Sequence, residues 1–94
     1  MKEKILTIVT QPDCPPCKQA IKTISSLMYN LGINIDIYDL GPRETRVEKL
    51  KELGRLGYPL IKSTPSYFID KKLQERPANL ENETVYNWLK TIFK

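Results

Sequence analysis

The chain has 94 residues, 40% apolar and 28% charged, with 15 basic against 11 acidic side chains, a net charge of +4, two cysteines and no histidine. That balance is of a globular protein and excludes a fibre or a disordered chain, and the length holds one domain over residues 1–94, too small for a second domain or a large cofactor cavity. No apolar run approaches a membrane span, and the five-residue run near the N-terminus is too short for a signal-peptide core, so no membrane partner and a cytoplasmic location are expected.

The first element is Ile5-Leu6-Thr7-Ile8-Val9, a nearly continuous β-rich run that suits a strand buried on both faces. From Cys17 the apolar positions fall at Cys17, Ala20, Ile21, Ile24, Leu27, Met28 and Leu31, one face of a helix that Gly32 stops. Ile33, Ile35 and Ile37 then alternate with Asn34, Asp36 and Tyr38, which predicts a second strand parallel to the first. Gly41-Pro42 marks a turn. Val47, Leu50 and Leu53 mark a short charged helix that ends at Gly54, and 55–64 reads as a loop.

Ser66-Tyr67-Phe68-Ile69, a turn at Asp70-Lys71-Lys72 and a weaker strand around Leu73, ended by Pro77, make an antiparallel hairpin. Val85, Trp88, Leu89, Ile92 and Phe93 repeat at helical spacing, with Asn79 or Asn82 as the cap, and Trp88 and Phe93 are expected in the core. The order is βαβαββα in an α/β domain.

Cys14-Pro15-Pro16-Cys17 carries the chemistry, at the junction of the first strand and first helix. Two thiols three positions apart can close and reopen a disulfide, and the helix N-terminus favours a thiolate on the first. Cys14, expected to be exposed at the helix start, is the candidate nucleophile. Cys17, on the buried stripe one turn later, is the candidate resolving thiol. Pro15 and Pro16 suit the first helical positions, where the missing N–H groups have no intrahelical partner. Pro16 offers the Cys14 thiolate no N–H, so that role falls to Cys17. Asp13 is a candidate cap whose charge opposes the thiolate.

Strand, Cys-Pro-Pro-Cys, second strand and helix, and then Ser63-Thr64-Pro65-Ser66 before a hairpin and last helix resemble the thioredoxin and glutaredoxin superfamily over essentially the whole chain. The resemblance implies a central mixed four-stranded sheet flanked by three helices and a redox-active Cys14–Cys17 disulfide. It also implies a cis Pro65 facing that pair, and a substrate groove formed by Thr64, Pro65, Pro15 and Pro16. The implied activity is thiol-disulfide exchange on protein disulfides, by a monomer without a bound cofactor or metal. Length and the immediate start at the first strand look like glutaredoxin. Glu75-Arg76 stands where glutaredoxins place paired glycines for glutathione, and Ala78 and Asn79 where an acidic pair follows. Asp13 replaces the thioredoxin tryptophan, and Ile8 the buried acid of its first strand. The mixture best fits small redoxins that a thioredoxin reductase reduces and that supply electrons to ribonucleotide reductase, with glutathione as the other reductant.

Other readings stand beside these. The cysteine pair is half of a zinc site, which without histidine requires two chains and would make the protein a non-enzymatic binding module, or it is an inert structural pair. Pro65 as an ordinary turn residue is the alternative to a cis docking proline. Lys18, Lys22, Arg55, Lys62, Lys71 and Arg76 are candidates for a basic rim that draws an acidic partner or the glutathione carboxylates, against ordinary solvated charge. Tyr58 and Tyr67 are candidates for lining a groove, although a tyrosine at a strand start, as Tyr67 is, more often packs. Because the basic residues are spread along the chain, a nucleic-acid partner is not expected.

Overall fold

The structure is a computed structural model and describes residues 4–94. In chain order it contains β1 (Lys4–Thr10), α1 (Pro15–Leu31), β2 (Ile33–Asp39), α2 (Arg43–Arg55), β3 (Ser66–Ile69), β4 (Lys72–Leu73) and α3 (Asn82–Ile92). The strands form one mixed sheet in the order β2-β1-β3-β4. β1 runs parallel to β2, and β3 is antiparallel to both β1 and β4. Among the described residues no helix is long and apolar enough to cross a membrane.

The position of β1 explains its continuous apolar run. Leu6 and Ile8 face a core completed by Ala20 and Ile24 of α1 and by Val85 and Leu89 of α3. Val9 faces the other way and packs with Leu40, Leu53 of α2 and Phe68. Alternate residues of a strand point to opposite faces, so a central strand covered on both sides is apolar on both, with Thr7 and Thr10 as its polar exceptions. Leu6, Ile8, Ala20, Ile24, Val85 and Leu89 are all fully buried. Truncating any of the larger ones to alanine costs about 2–5 kcal/mol at such a site. α1 and α3 therefore cover one face and α2 the other.

β2 is an edge strand, and its isoleucines are buried unequally. Ile33 is buried and Ile35 half-buried, whereas Ile37 is 48% exposed. Alternation marks which face a side chain takes, but the length of the covering helix decides how much of that face is closed.

Three boundaries differ from the sequence reading. α2 continues through Gly54 to Arg55, and the positive φ that ends the segment belongs to Gly57 at 97°. A helical φ is available to glycine, so an isolated glycine need not stop a helix that is held by packing on either side. β4 ends at Leu73, well before Pro77, although Gln74 N–H still donates to Tyr67 O at 2.8 Å. Neither Asn79 nor Asn82 caps α3. Glu81 occupies that position without a side-chain bond, while Asn79 Oδ1 accepts from Glu81 N–H at 3.0 Å in a turn that aims the chain into the helix.

The hairpin turn has Asp70 and Lys71 both in the left-handed region, at φ 51° and 66°. This is the two-residue geometry whose twist matches the flanking strands. Tyr67 turns inward and meets Trp88 edge to face, with ring centroids 4.8 Å apart. Trp88 is half-buried rather than wholly within the core, and its Nε1–H donates to Glu75 O at 2.7 Å. An indole at a core margin buries its body and spends its one donor at the rim.

Burial pushes the Tyr67 phenol up to about 12 from an ordinary 10.0, with Arg76 pulling weakly in the other direction. The folded protein thus retains a proton that the unfolded chain releases. Its contribution to stability is complete below about pH 10 and is lost as the pH rises towards about 12. Urea unfolding across that interval is expected to show a falling midpoint. Tyr67→Phe should remove this part of the decline, and an unchanged slope in the variant would refute the assignment.

Candidate active site

Cys14 and Cys17 form a disulfide, with their Cα atoms 5.2 Å apart. Pro15 and Pro16 occupy the first two positions of α1, and the residue at the N-cap is Cys14 itself, in an extended conformation. Asp13 does not cap the helix, which corrects the sequence expectation. The Cys17 N–H donates to Cys14 Sγ at 3.3 Å, so the sulfur fills the role that an Asp13 oxygen would have taken. With no N–H on either proline, Cys17 supplies the first donor of the helix, and Lys18 N–H follows by bonding Cys14 O at 3.3 Å.

The second half of the site comes from the segment before β3. The register of β1 against β3 pairs Val9 with Ser66, which brings the residues preceding β3 beside those following β1. The Thr64–Pro65 peptide bond is cis, and Pro65 is buried. Thr64 touches Cys14 through two atoms. Its Oγ1 hydroxyl lies 3.6 Å from Cys14 Sγ and can donate to it, while its carbonyl O lies 3.7 Å away. Cys14 is consequently 5% exposed, not open to solvent as its place at the helix start implies. Cys17 is fully buried, so Cys14 is the less enclosed of the two.

These contacts determine what the reduced pair can do. A thiolate on Cys14 would accept from Cys17 N–H and Thr64 Oγ1–H at the positive end of a helix of 17 residues. Each contact favours the charged form. Cys17 lies on the buried stripe of α1 with Ala20 and Ile24, away from solvent. The two sulfurs thus have different surroundings.

Asp13 bears on this balance through a residue that the sequence reading did not single out. Arg46 Nη2 of α2 lies 3.3 Å from Asp13 Oδ1 and donates also to Gly41 O at 3.4 Å. The buried Arg46 Nε has no hydrogen-bond partner. The guanidinium draws the carboxylate towards α2 and offsets its charge beside Cys14. Arg46 gave no signal because it is one of many charged residues on a charged helix, and the fold alone brings positions 13 and 46 together.

The rim candidates divide. Lys62 lines a cleft of about 230 Å³ with Gln11, Arg46, Leu50, Ser63 and Thr64, the last of which touches Cys14. Arg76 reaches the same loop by donating to Ser63 Oγ. Lys71 lies in the hairpin turn, at the end of β3 away from Thr64, and Arg55 at the far end of α2, so the structure does not bring either to the dithiol. Lys18 and Lys22 are exposed on α1. Tyr58 packs edge to face on Phe68, and Tyr67 is buried, which gives both packing roles. Among the described residues there is no group of three or more His, Cys, Asp or Glu side chains that could hold a metal ion.

Removing either partner of the Asp13–Arg46 pair is expected to move the Cys14 thiol in opposite directions. Arg46→Ala should raise its pKa and Asp13→Asn should lower it. Because Asp13 is largely exposed, each change in thiolate population at neutral pH should be at most about fivefold. Ultraviolet thiolate absorbance against pH in the reduced variants measures this. If Arg46 acts through Asp13, the double variant matches Asp13→Asn alone, whereas a full Arg46→Ala shift when Asp13→Asn is already in place would show direct action on the sulfur.

No protein-family model and no curated protein matches this chain.

Proposed function

We propose that the protein is a thiol-disulfide oxidoreductase of thioredoxin-like fold that reduces disulfides in other proteins. One observation carries the reading: a Cys14–Cys17 disulfide at a helix start, with its outer sulfur against the Thr64 carbonyl and hydroxyl and its inner sulfur sealed in the core. The mixed four-stranded sheet with helices on both faces is compatible with that fold. An inert structural pair would have no need of two donors aimed at one sulfur. A zinc site shared between two chains would need both thiolates turned outward, whereas Cys17 is fully buried.

The reaction follows from the asymmetry. In the reduced protein the Cys14 thiolate attacks one sulfur of a substrate disulfide. A Cys14–substrate disulfide forms, the substrate S–S bond breaks, and the displaced substrate thiolate takes a proton. Cys17 then loses its proton and attacks Cys14 Sγ, which re-forms the Cys14–Cys17 bond and releases the second substrate thiolate. Two electrons pass from the dithiol to the substrate. Pro65 and the Thr64 backbone hold the substrate chain beside Cys14, and Pro15 and Pro16 limit movement of the reduced loop.

An external thiol or dithiol returns the pair to its reduced form. A thioredoxin reductase-like enzyme is one donor, and ribonucleotide reductase is then among the candidate recipients. The cleft beside Cys14 also favours glutathione as a donor. Its Lys62 offers a cationic group to a carboxylate on the Thr64 side of the sulfur.

The protein is expected to accelerate reduction of insulin disulfides by dithiothreitol, and Cys14→Ser to abolish the acceleration. Cys17→Ser should retain the first step and accumulate a mixed disulfide on Cys14 in a cell extract, which mass spectrometry identifies. Failure of the wild-type protein to reduce insulin or a small mixed disulfide would remove the redox reading altogether.

A further inference from the structure

At the β4 edge of the sheet, a groove of about 270 Å³ opens between the 60–66 segment and β4. Its lining includes Leu60, Lys62, Ser63, Leu73, Gln74 and Arg76, and among the described residues no acidic side chain lines it. Leu60 is 76% exposed and Leu73 59% exposed, two aliphatic side chains turned to solvent across one depression. Leu73 pairs with Phe68 on the neighbouring strand, and β4, only two residues long, is the last strand of the sheet. Arg76 is exposed, and it donates to Ser63 Oγ, another residue of the lining.

The groove adjoins the dithiol. Ser63 precedes Thr64, whose carbonyl lies 3.7 Å from Cys14 Sγ. An extended chain advances about 3.3–3.6 Å per residue, so a segment whose disulfide meets Cys14 enters the groove within about two to four residues. Successive side chains of that segment alternate in direction. One set can lie between Leu60 and Leu73 while the other faces Arg76 and Lys62. An apolar side chain and a carboxylate satisfy this lining together, and a lysine or arginine would meet like charge with no acid to offset it.

We propose that this groove selects, for the reduction described above, disulfides in protein segments that carry an aliphatic or aromatic side chain and an acidic side chain about two to four residues from the cysteine. The inference rests on the disulfide-reductase reading and adds its substrate class. Selection comes from the groove, and the sulfur chemistry is the same for every substrate.

Two synthetic peptides with the same disulfide test it, one flanked by Leu and Asp and the other by Ser and Lys, with hydroxyethyl disulfide as a substrate too small to reach the groove. The wild-type protein is expected to favour the acidic, apolar peptide by about tenfold in kcat/KM, and less so at high salt. Arg76→Glu should cancel or invert the preference, and Leu73→Ser should lower turnover of that peptide severalfold. Both variants should reduce hydroxyethyl disulfide at rates within about twofold of wild type, since each substituted side chain is exposed and outside the reacting group. Equal turnover of the two peptides, or a preference unmoved by both substitutions, would overturn the groove while leaving the reductase intact. Turnover of neither peptide nor hydroxyethyl disulfide would overturn the two readings together.

Discussion

The antiparallel pairing of β3 with β1 is the constraint on which the site depends. Strand β1 delivers the chain to Cys14 at its C-terminal end, and β3 departs from Pro65 at its N-terminal end. Only an antiparallel register, with Val9 opposite Ser66, places those two ends together. A slip by one residue would turn Tyr67 and Phe68 to the wrong faces and remove them from their separate cores. The hydrophobic pattern that keeps Tyr67 with Ile8 and Phe68 with Val9 is therefore also what keeps Thr64 beside the sulfur. Packing and chemistry here rest on the same register.

The parts legible in the sequence are those set by local pattern. The strand at Ile5–Val9, the helical stripe from Cys17 and the alternating isoleucines after Gly32 each follow from residue spacing, and β1, α1 and β2 appear where that spacing puts them. The buried position of Cys17 follows from the same stripe. Proline at the first two positions of α1 follows from the missing N–H groups. Each of these inferences needs only residues within a few turns of one another.

What was not legible depends on contacts between distant segments. The burial of Cys14 requires Thr64, fifty positions away. Asp13 looks like a cap on its own, and it is drawn off by Arg46, thirty-three positions away. Gly54 reads as a stop because glycine often ends helices, but Leu53 is anchored in the second core and holds the helix past it. Pro77 reads as the end of a strand whose last bond to β3 is already made by Gln74 N–H to Tyr67 O. In each case the local rule is sound and a tertiary contact outweighs it.

The displacement of Asp13 from the cap has a chemical consequence. A carboxylate that capped α1 would occupy the donors at the helix start and place a full negative charge beside the sulfur, disfavouring a thiolate twice over. With Cys14 at the N-cap, the Cys17 N–H is shared between Cys14 O at 3.1 Å and Cys14 Sγ at 3.3 Å, and the Asp13 carboxylate lies to the side against Arg46. The two prolines strengthen the arrangement, because neither leaves a backbone donor at the first two helical positions for a competing acceptor to use. The polarity of the dithiol, with Cys14 outward and accepting and Cys17 inward and apolar, is thus produced by how the first turn is capped. The cysteine spacing permits a disulfide, and the cap together with the apolar stripe gives its two sulfurs different surroundings.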